Sequence, residues 1–154
     1  MNKAVLTCLE SQFHVYDLRT HHPEKGYAGR TVNNNNPSND HANTNDNNNN
    51  DNKSGGSTVW GVKHLPQNRD VFVTLGGDGI STIYKYEYPD SRVVYDSEQR
   101  PYGVAGSVSV VTKQSIATQP LSSWDWNKEK QGLACCTAFD QTLRVLLITK
   151  LNTV

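Results

Sequence analysis

Residues 71–84 have the sequence VFVTLGGDGISTIY, in which one aspartate separates two apolar runs. An acid followed by glycine suits the tight turn of a β-hairpin, because the carboxylate accepts hydrogen bonds from nearby amides and glycine adopts unusual backbone angles. The pattern occurs twice more, with Glu10 and Asp140 in the place of Asp78. We therefore predict that these three acids have a structural role in turns, and that the chain is a repeat array.

The repeat continues beyond each acid, since a large residue follows six positions later, namely Tyr16, Tyr84 and Leu146. From Glu10 to Asp78 is 68 positions and from Asp78 to Asp140 is 62, against roughly 40–45 residues for a WD-type propeller blade. Two polar segments account for the excess, an Asn-rich tract at residues 33–52 and a stretch from residue 87 to about 102. Without them each interval is close to one blade.

Apolar runs between turn signals predict β-strands along the ordered part of the chain, and no segment has a helical period. The run at residues 143–148 is apolar at every position except Arg144, and we interpret it as a strand buried on both faces. His21 and His22 are expected to begin a loop. The fold class is therefore all-β, with strands expected at residues 4–9, 12–17, 58–65, 70–75, 80–86, 104–111, 114–117, 121–126, 132–137 and 142–149.

These strands divide the chain into four parts. A segment dominated by Asn, Asp, Ser and Thr buries too little apolar surface to offset its ordering entropy, so the Asn-rich low-complexity insert is expected to be disordered. The expected parts are a partial propeller blade at residues 1–32, the insert at 33–56, a blade and linker at 57–103, and a C-terminal blade lacking its closing strand at 104–154.

Composition excludes several classes of function. The formal net charge is +0, so there is no basic footprint for nucleic acid or for an anionic membrane. No run approaches the roughly 20 apolar residues of a membrane span. The three cysteines, Cys8, Cys135 and Cys136, do not form a disulfide framework, which suits a reducing, cytoplasmic compartment.

No motif predicts catalysis, a cofactor, a metal site or a small-molecule substrate. The glycines at 76, 77 and 79 are too few for a phosphate-binding loop, and no helix is predicted after them. His21, His22 and His41 lack Cys or carboxylate neighbours at the spacing of metal ligands. The serines lack the context of a nucleophile elbow. We therefore expect a protein that is not an enzyme.

The match to a WD repeat is incomplete. The dipeptide Trp124-Asp125 belongs to the first predicted strand of its unit, whereas the dipeptide of a WD repeat ends the third strand. The matching positions are Tyr16-Asp17, Tyr84-Lys85 and Leu146-Leu147, of which the first alone keeps the acid. The Gly-His pair that a WD repeat has before its first strand is absent, since Gly55-Gly56 stand there, so the Asp78 carboxylate is expected to depend on backbone amides, at a cost of about 1–3 kcal/mol if it is buried.

Several segments go beyond general WD-repeat sequence: FHVYDLRT at 13–20, STVWGVKHLPQNR at 57–69, KYEYP at 85–89, GVAGSVS at 103–109 and FDQTLRV at 139–145. Together they resemble the C-terminal part of the Monad family of WD-repeat proteins, which are dynein axonemal assembly factors. The resemblance implies about two and a half blades of a seven-bladed propeller, as an incomplete ring. It also implies a non-enzymatic cytosolic adaptor of the prefoldin-like co-chaperone system with RuvB-like ATPases, assisting pre-assembly of dynein heavy chains, and in animals a link to apoptosis.

One functional alternative to the adaptor remains open. The chain could be a general WD-repeat interaction scaffold associated with chromatin, a ubiquitin ligase or apoptosis, and its incomplete set of blades is expected to come from a fragment or a truncated gene product. Large aromatic side chains and arginine are common at protein interfaces. On that basis Trp60, Tyr86, Tyr88 and Arg144 are the predicted partner contacts.

Overall fold

The computed structural model describes residues 3–8, 10–34, 41–42 and 57–153. In these ranges the chain is almost entirely β-structure, which confirms the predicted all-β class. None of the helical structure in the described ranges has the length or apolar character needed to cross a bilayer. The elements are β1 Lys3–Thr7, β2 Gln12–His22, β3 Gly26–Asn33, β4 His41–Ala42, β5 Val59–Leu65, β6 Asn68–Gly76, β7 Ile80–Glu87, β8 Val93–Tyr95, β9 Pro101–Gly103, β10 Ser107–Ser115, β11 Leu121–Trp126, β12 Leu133–Ala138, β13 Leu143–Leu147 and a 3-10 turn at Leu151–Thr153.

Three antiparallel sheets follow one another along the chain. The first has the strand order β1-β2-β3-β4, the second β10-β7-β6-β5 and the third β11-β12-β13, while β8 and β9 form a separate hairpin. The first and third sheets are meanders of successive strands, and in the second β10 pairs with β7 after the intervening β8–β9 hairpin, an arrangement consistent with partial WD-repeat blades. β10 pairs with β7, so residues 107–115 are part of the second sheet and not of the C-terminal blade expected to begin at residue 104.

The first and second sheets pack through an aromatic core. The rings of Phe13 and Tyr84 are 5.0 Å apart and those of Phe13 and Phe72 are 5.6 Å apart. Edge-to-face and tilted ring pairs of this kind add about 0.5–1.5 kcal/mol beyond the area they bury. Val15, Val32 and other buried residues complete this core.

The second and third sheets pack through a separate core around Trp124, which is 1% exposed. Val71, Val73 and Leu75 of β6 face this second core, whereas Phe72 of the same strand faces the first. The middle sheet is therefore buried on both faces because successive side chains of a strand point to opposite sides. This is the arrangement in which a strand has a continuous apolar run.

The third sheet differs from the prediction. Residues 143–148 were expected to be buried on both faces, but Leu143, Val145 and Leu147 are 66%, 69% and 61% exposed. The strand alternates, since Arg144 and Leu146 are partly buried on the other side. Apolar sequence alone could not distinguish the two cases, because what covers a face depends on the neighbouring sheet.

The loop expected from His21 onwards is instead a strand pair. β2 extends to His22 and turns through residues 23–25 into β3, and His41 lies in the short strand β4 rather than in a loop. Gly26 has a φ of 71°, which suits the turn because glycine adopts left-handed angles without a side-chain penalty. The polar stretch 87–102 likewise contains strands β8 and β9.

The start of the predicted disordered insert is also corrected. Asn33 ends β3, and Asn34 is buried, with its side-chain Oδ1 accepting hydrogen bonds from Thr74 Oγ1 at 3.2 Å and Tyr84 Oη at 2.9 Å. Asn34 therefore joins the first sheet to the middle of the second. The rest of the predicted insert, apart from β4, lies outside the described residues.

Replacing Asn34 with alanine is expected to destabilise the chain by about 1–3 kcal/mol, because the buried hydroxyls of Thr74 and Tyr84 both lose the bond to Asn34. Denaturant unfolding of the two proteins measures this difference. Asn152→Ala, the same substitution at an exposed position, is a suitable control. An equal effect of the two substitutions would contradict the specific role of Asn34.

Candidate interaction surface

The three turn acids lie at the same end of the three sheets. In the turn of the first sheet, the carbonyl oxygen of Glu10 accepts a hydrogen bond from Val59 N of β5 at 3.2 Å. In the turn of the second sheet, Gly77 N donates to the carbonyl oxygen of Thr58, directly before β5, at 2.8 Å. The ring of Trp60 contacts that of Phe139, so the turn of the third sheet lies next to the other two turns. We call Glu10, Trp60, Asp78, Phe139 and Asp140 the turn-end surface.

Two of the three turn acids accept hydrogen bonds from backbone amides within their own turns. Asp78 Oδ1 accepts from Ile80 N at 3.1 Å, and Asp140 Oδ1 accepts from Thr142 N at 3.2 Å. Both bonds reach the amide two residues further along, the usual geometry of an Asx turn. Asp78 is exposed, so the cost predicted for burying it without a histidine partner does not arise.

Arg144, one of the predicted partner contacts, is engaged within its own turn. Its Nη2 donates to Asp140 Oδ2 at 2.8 Å and its Nη1 to Asp140 Oδ1 at 3.3 Å. Hydrogen bonds from Arg144, followed by those from Thr142, hold the pKa of Asp140 far below its ordinary value. The arginine therefore neutralises Asp140 and braces the turn.

Trp60 is presented to solvent at the start of β5. Val59 pairs with Gly76 and Gly61 pairs with Leu75, so Trp60 is the extra residue of a β-bulge. A bulge of this kind turns a side chain away from the regular ladder. The Trp60 ring is 49% exposed and meets the 56% exposed ring of Phe139 edge-on, with centroids 5.2 Å apart.

An open pocket of about 300 Å³ lies beside this ring pair and is lined by Thr7, Cys8, Val59 and Trp60. The surface thus combines an aromatic platform with a neighbouring recess. Large amphipathic rings beside a pocket are typical of the anchor points of protein interfaces. Phe139 was not among the contacts predicted from sequence, because nothing in its local pattern indicates that it meets Trp60.

Tyr86 does not belong to an exposed surface. It is 3% exposed, and its hydroxyl oxygen accepts a hydrogen bond from Gly106 N at 2.6 Å. Burial raises the pKa of the Tyr86 hydroxyl. This placement corrects the prediction that Tyr86 is a partner contact, since its ring packs in the core between the first and second sheets.

Tyr88 lies on the far side of the molecule from the turn acids, at the start of β1 and β6. Its hydroxyl donates to Asp70 Oδ1 at 2.9 Å and accepts from Lys3 Nζ at 2.9 Å. Lys3 also forms an ion pair with Asp70, and the guanidinium groups of Arg19 and Arg92 lie 5.3 Å and 4.9 Å from the Tyr88 ring. Tyr88 therefore joins the first two sheets electrostatically, although part of its ring remains exposed.

Two carboxylates at this junction have lowered pKa values. Burial alone would raise the pKa of Asp17, but hydrogen bonds and the charge of Arg19 outweigh it. Burial would likewise raise the pKa of Asp70, but hydrogen bonds from Lys3 and Tyr88, together with the charge of Lys3, outweigh it and lower the pKa. Both groups therefore favour the folded state when they are ionised.

Acid is expected to weaken the junction between the first two sheets. Because the pKa values of Asp17 and Asp70 lie below their ordinary 3.8 in the folded chain, they stabilise it above that pH. This stability is lost as the pH falls through 3.8 towards the folded values. The double variant Asp17→Asn/Asp70→Asn should be less stable than the parent at neutral pH and should lose less stability on acidification. Urea unfolding at a series of pH values tests this, with exposed Asp90→Asn as the control; parallel profiles would contradict it.

Sequence reasoning also missed a buried histidine at the end of β2. His22 is fully buried, and its Nε2 lies 3.1 Å from Asp96 Oδ2 on the loop after β8, a carboxylate 74 positions away. The amides of Glu24 and Lys25 donate to its Nδ1 at 3.2 Å and 3.1 Å, so Nε2 carries the proton that Asp96 accepts. This bond fastens the β8–β9 hairpin to the first sheet. The described ranges hold no group of three or more His, Cys, Asp or Glu that could bind a metal.

The adjacent cysteines point to opposite faces of β12, because successive side chains of a strand alternate. Cys135 is exposed and Cys136 is buried, and burial raises the pKa of the Cys136 thiol. A thiol with a raised pKa is a poor nucleophile at neutral pH, which indicates a packing role for Cys136.

Comparison with known proteins identifies close relatives along the whole chain, although no family model matches it. The chain is 49% identical over 99% of its length to dynein axonemal assembly factor 10 of Xenopus tropicalis, and covers 37% of that protein. It is 46% identical over 100% of its length to the Chlamydomonas reinhardtii protein of that name, covering 38%, and 48% identical over 99% to the human one, covering 37%. The chain spans little more than a third of the length of these curated relatives. The resemblance to the Monad family of assembly factors is confirmed by these identities.

Proposed function

We propose, from its similarity to dynein axonemal assembly factor 10 along the whole chain, that this chain is part of a WD-repeat adaptor that assists the assembly of axonemal dynein. Overall identity near one half along the whole chain supports a shared role better than fold alone does, because one propeller fold serves many functions. The adaptor is non-enzymatic and works in the cytoplasm before dynein enters the axoneme.

The finer proposal is that the adaptor connects dynein heavy chains to the prefoldin-like co-chaperone complex with its RuvB-like ATPases. The family resemblance of the sequence motifs supports it. The structure is compatible with a binding role, because the stacked sheets present an exposed aromatic pair at one end. Stacked repeats commonly serve as rigid platforms for several protein partners.

A chimera tests this proposal in a cell that builds axonemes. The segment of the Chlamydomonas relative that matches this chain is replaced by residues 1–154, and the tagged chimera is precipitated from cells regrowing flagella. Recovery of RuvB-like ATPases and dynein heavy chains is the expected result, as with the unaltered relative. Recovery of neither from a stably expressed chimera would contradict the adaptor role, and histones or ubiquitin-ligase subunits in their place would favour a general scaffold.

A further inference from the structure

We infer that Trp60 and Phe139 form the anchor point for a partner segment that places a basic side chain next to an apolar one. The site is the turn-end surface. The identity of the protein that supplies the segment rests on the adaptor role proposed above. The second and third sheets share one local backbone pattern, so positions in one have equivalents in the other.

The two sheets repeat the bulge that presents Trp60. In the third sheet Leu121 pairs with Ala138 and Ser123 with Thr137, which leaves Ser122 as the extra residue. Ala138 stands two positions before Asp140, as Gly76 stands before Asp78, so Ser122 is the equivalent of Trp60. The bulge therefore forms with a small polar residue, and its geometry does not require tryptophan.

Phe139 has an equivalent as well. It directly precedes Asp140, as Gly77 precedes Asp78, and the two amides make matching bonds, from Phe139 N to Pro120 O at 3.0 Å and from Gly77 N to Thr58 O at 2.8 Å. The turn therefore forms with glycine at this position and does not require an aromatic ring.

Gly77 also makes room for the tryptophan. A Cβ at Gly77 would lie 2.9 Å from the Trp60 indole nitrogen, closer than real Cβ atoms come. The second sheet thus has Gly77 beside the Trp60 indole, where a larger residue would clash, and the third sheet has Phe139, whose ring contacts the indole. The two aromatic rings depend on each other and on this glycine, although neither is needed by its own turn.

The charges around the rings indicate the chemistry of the partner. Asp78 is adjacent to Gly77, and the backbone of Glu10 bonds Val59, next to Trp60. Asp140, adjacent to Phe139, is neutralised by Arg144, whereas Glu10 and Asp78 are exposed and form no ion pair with any described residue. An exposed aromatic face beside carboxylates attracts Lys or Arg through both cation–π and ionic attraction.

The neighbouring pocket supplies the second half of the preference. Its lining by Val59, Trp60 and the Cys8 thiol is largely apolar and suits one aliphatic side chain. A segment with a basic residue beside an aliphatic one would therefore place its charge towards Glu10 and Asp78 and its apolar side chain in the recess. A partner with acidic side chains at the same place would meet like charge.

Peptide display against the full chain tests the inference directly. A library with one fixed leucine and randomised flanking positions is selected on the parent and, in parallel, on Trp60→Ser, which installs the residue found at the equivalent bulge. Tyr95→Ala removes another exposed aromatic ring, on β8, and is the matched control. A second pair, Glu10→Gln and Asp78→Asn, removes charge while keeping an oxygen that can accept the turn bond.

We expect peptides that are enriched on both the parent and Tyr95→Ala and that Trp60→Ser binds about thirtyfold more weakly. These peptides should have Lys or Arg next to the leucine. They should also bind several-fold more weakly to the charge variants. Enrichment of acidic or uncharged flanks, or absence of any peptide whose binding depends on Trp60, would overturn the inference. The selection needs no dynein or co-chaperone, so its failure is distinct from failure of the adaptor proposal.

Discussion

Trp124→Ala is expected to cost about 3–5 kcal/mol of unfolding free energy, the usual range for removing a large aromatic side chain from a core. Trp124 is 1% exposed and lies in the core that joins the second and third sheets. Its ring also packs edge-on against Trp126, with centroids 5.2 Å apart. A loss of this size is a large part of the stability of a small protein, about 5–15 kcal/mol. Folding of the third sheet is therefore expected to depend on this residue.

Trp60→Ala is the matched comparison, because the same substitution is made at a half-exposed position. It is expected to change the unfolding free energy by no more than about 1 kcal/mol, since it removes a single edge-on ring contact and little buried area. Denaturant unfolding of both variants, followed by circular dichroism, measures the difference. Equal losses would contradict the division between a structural tryptophan at 124 and a surface one at 60.

Gly79→Ala is the second change with a large expected effect. Gly79 has a φ of 77°, and a Cβ there would lie 2.0 Å from the carbonyl oxygen of Ala117. The carbonyl oxygen of Gly79 also accepts from Ile116 N and Ala117 N at 2.9 Å and 3.1 Å. The clash would therefore separate the turn of the second sheet from the segment that leads into the third. We expect a loss well above the roughly 1–2 kcal/mol of left-handed strain alone.

Two other positions distinguish the effect of backbone strain at Gly79 from the effect of a steric clash with Ala117. Gln141, the equivalent of Gly79 in the third sheet, has a φ of 63°, so a side chain is compatible with these backbone angles. Gly26 has a φ of 71° with nothing within 4 Å of a Cβ, so Gly26→Ala should show the strain alone. Thermal unfolding of Gly79→Ala and Gly26→Ala compares them. If both variants lose the same stability, close packing against Ala117 is not what requires glycine at residue 79.

Much of the fold follows from local pattern. The acids at 78 and 140 mark turns because a carboxylate bonds the amide two residues on, a rule that needs no tertiary information. The alternation of Val71, Phe72 and Val73 between two cores follows from the period of a strand. The opposite faces of Cys135 and Cys136 were predictable for the same reason.

Other features depend on contacts that no local pattern contains. His22 lies in a strand because the β8–β9 hairpin, 74 positions away at Asp96, covers it. Asn34 is ordered because Thr74 and Tyr84 give its amide oxygen two donors, although it stands at the start of an Asn-rich tract. Residues 143–148 were assigned to a doubly buried strand because apolar composition does not reveal which neighbouring sheet is present.

The candidate surface was predicted in part. Trp60 was identified from its residue type, and its exposure supports that choice, whereas Tyr86 was chosen for the same reason and is buried. Arg144 is paired with Asp140, and Tyr88 joins two sheets at the other end. Residue type predicts which side chains suit an interface. The exposure of each side chain, and the contact between Trp60 and Phe139, depend on the packing of one sheet against the next.

The most direct test of the central claim is the dynein content of axonemes. A Chlamydomonas strain that lacks its own relative receives the chimera with residues 1–154 as the parent, as Trp60→Ser/Phe139→Ala, or as Tyr95→Ala. We predict that the parent and Tyr95→Ala chimeras restore axonemal dynein heavy chains, while the Trp60→Ser/Phe139→Ala chimera, present at equal level, does not. Full restoration by that double variant would contradict the role of the turn-end surface, and failure of the parent chimera would contradict the assembly role itself.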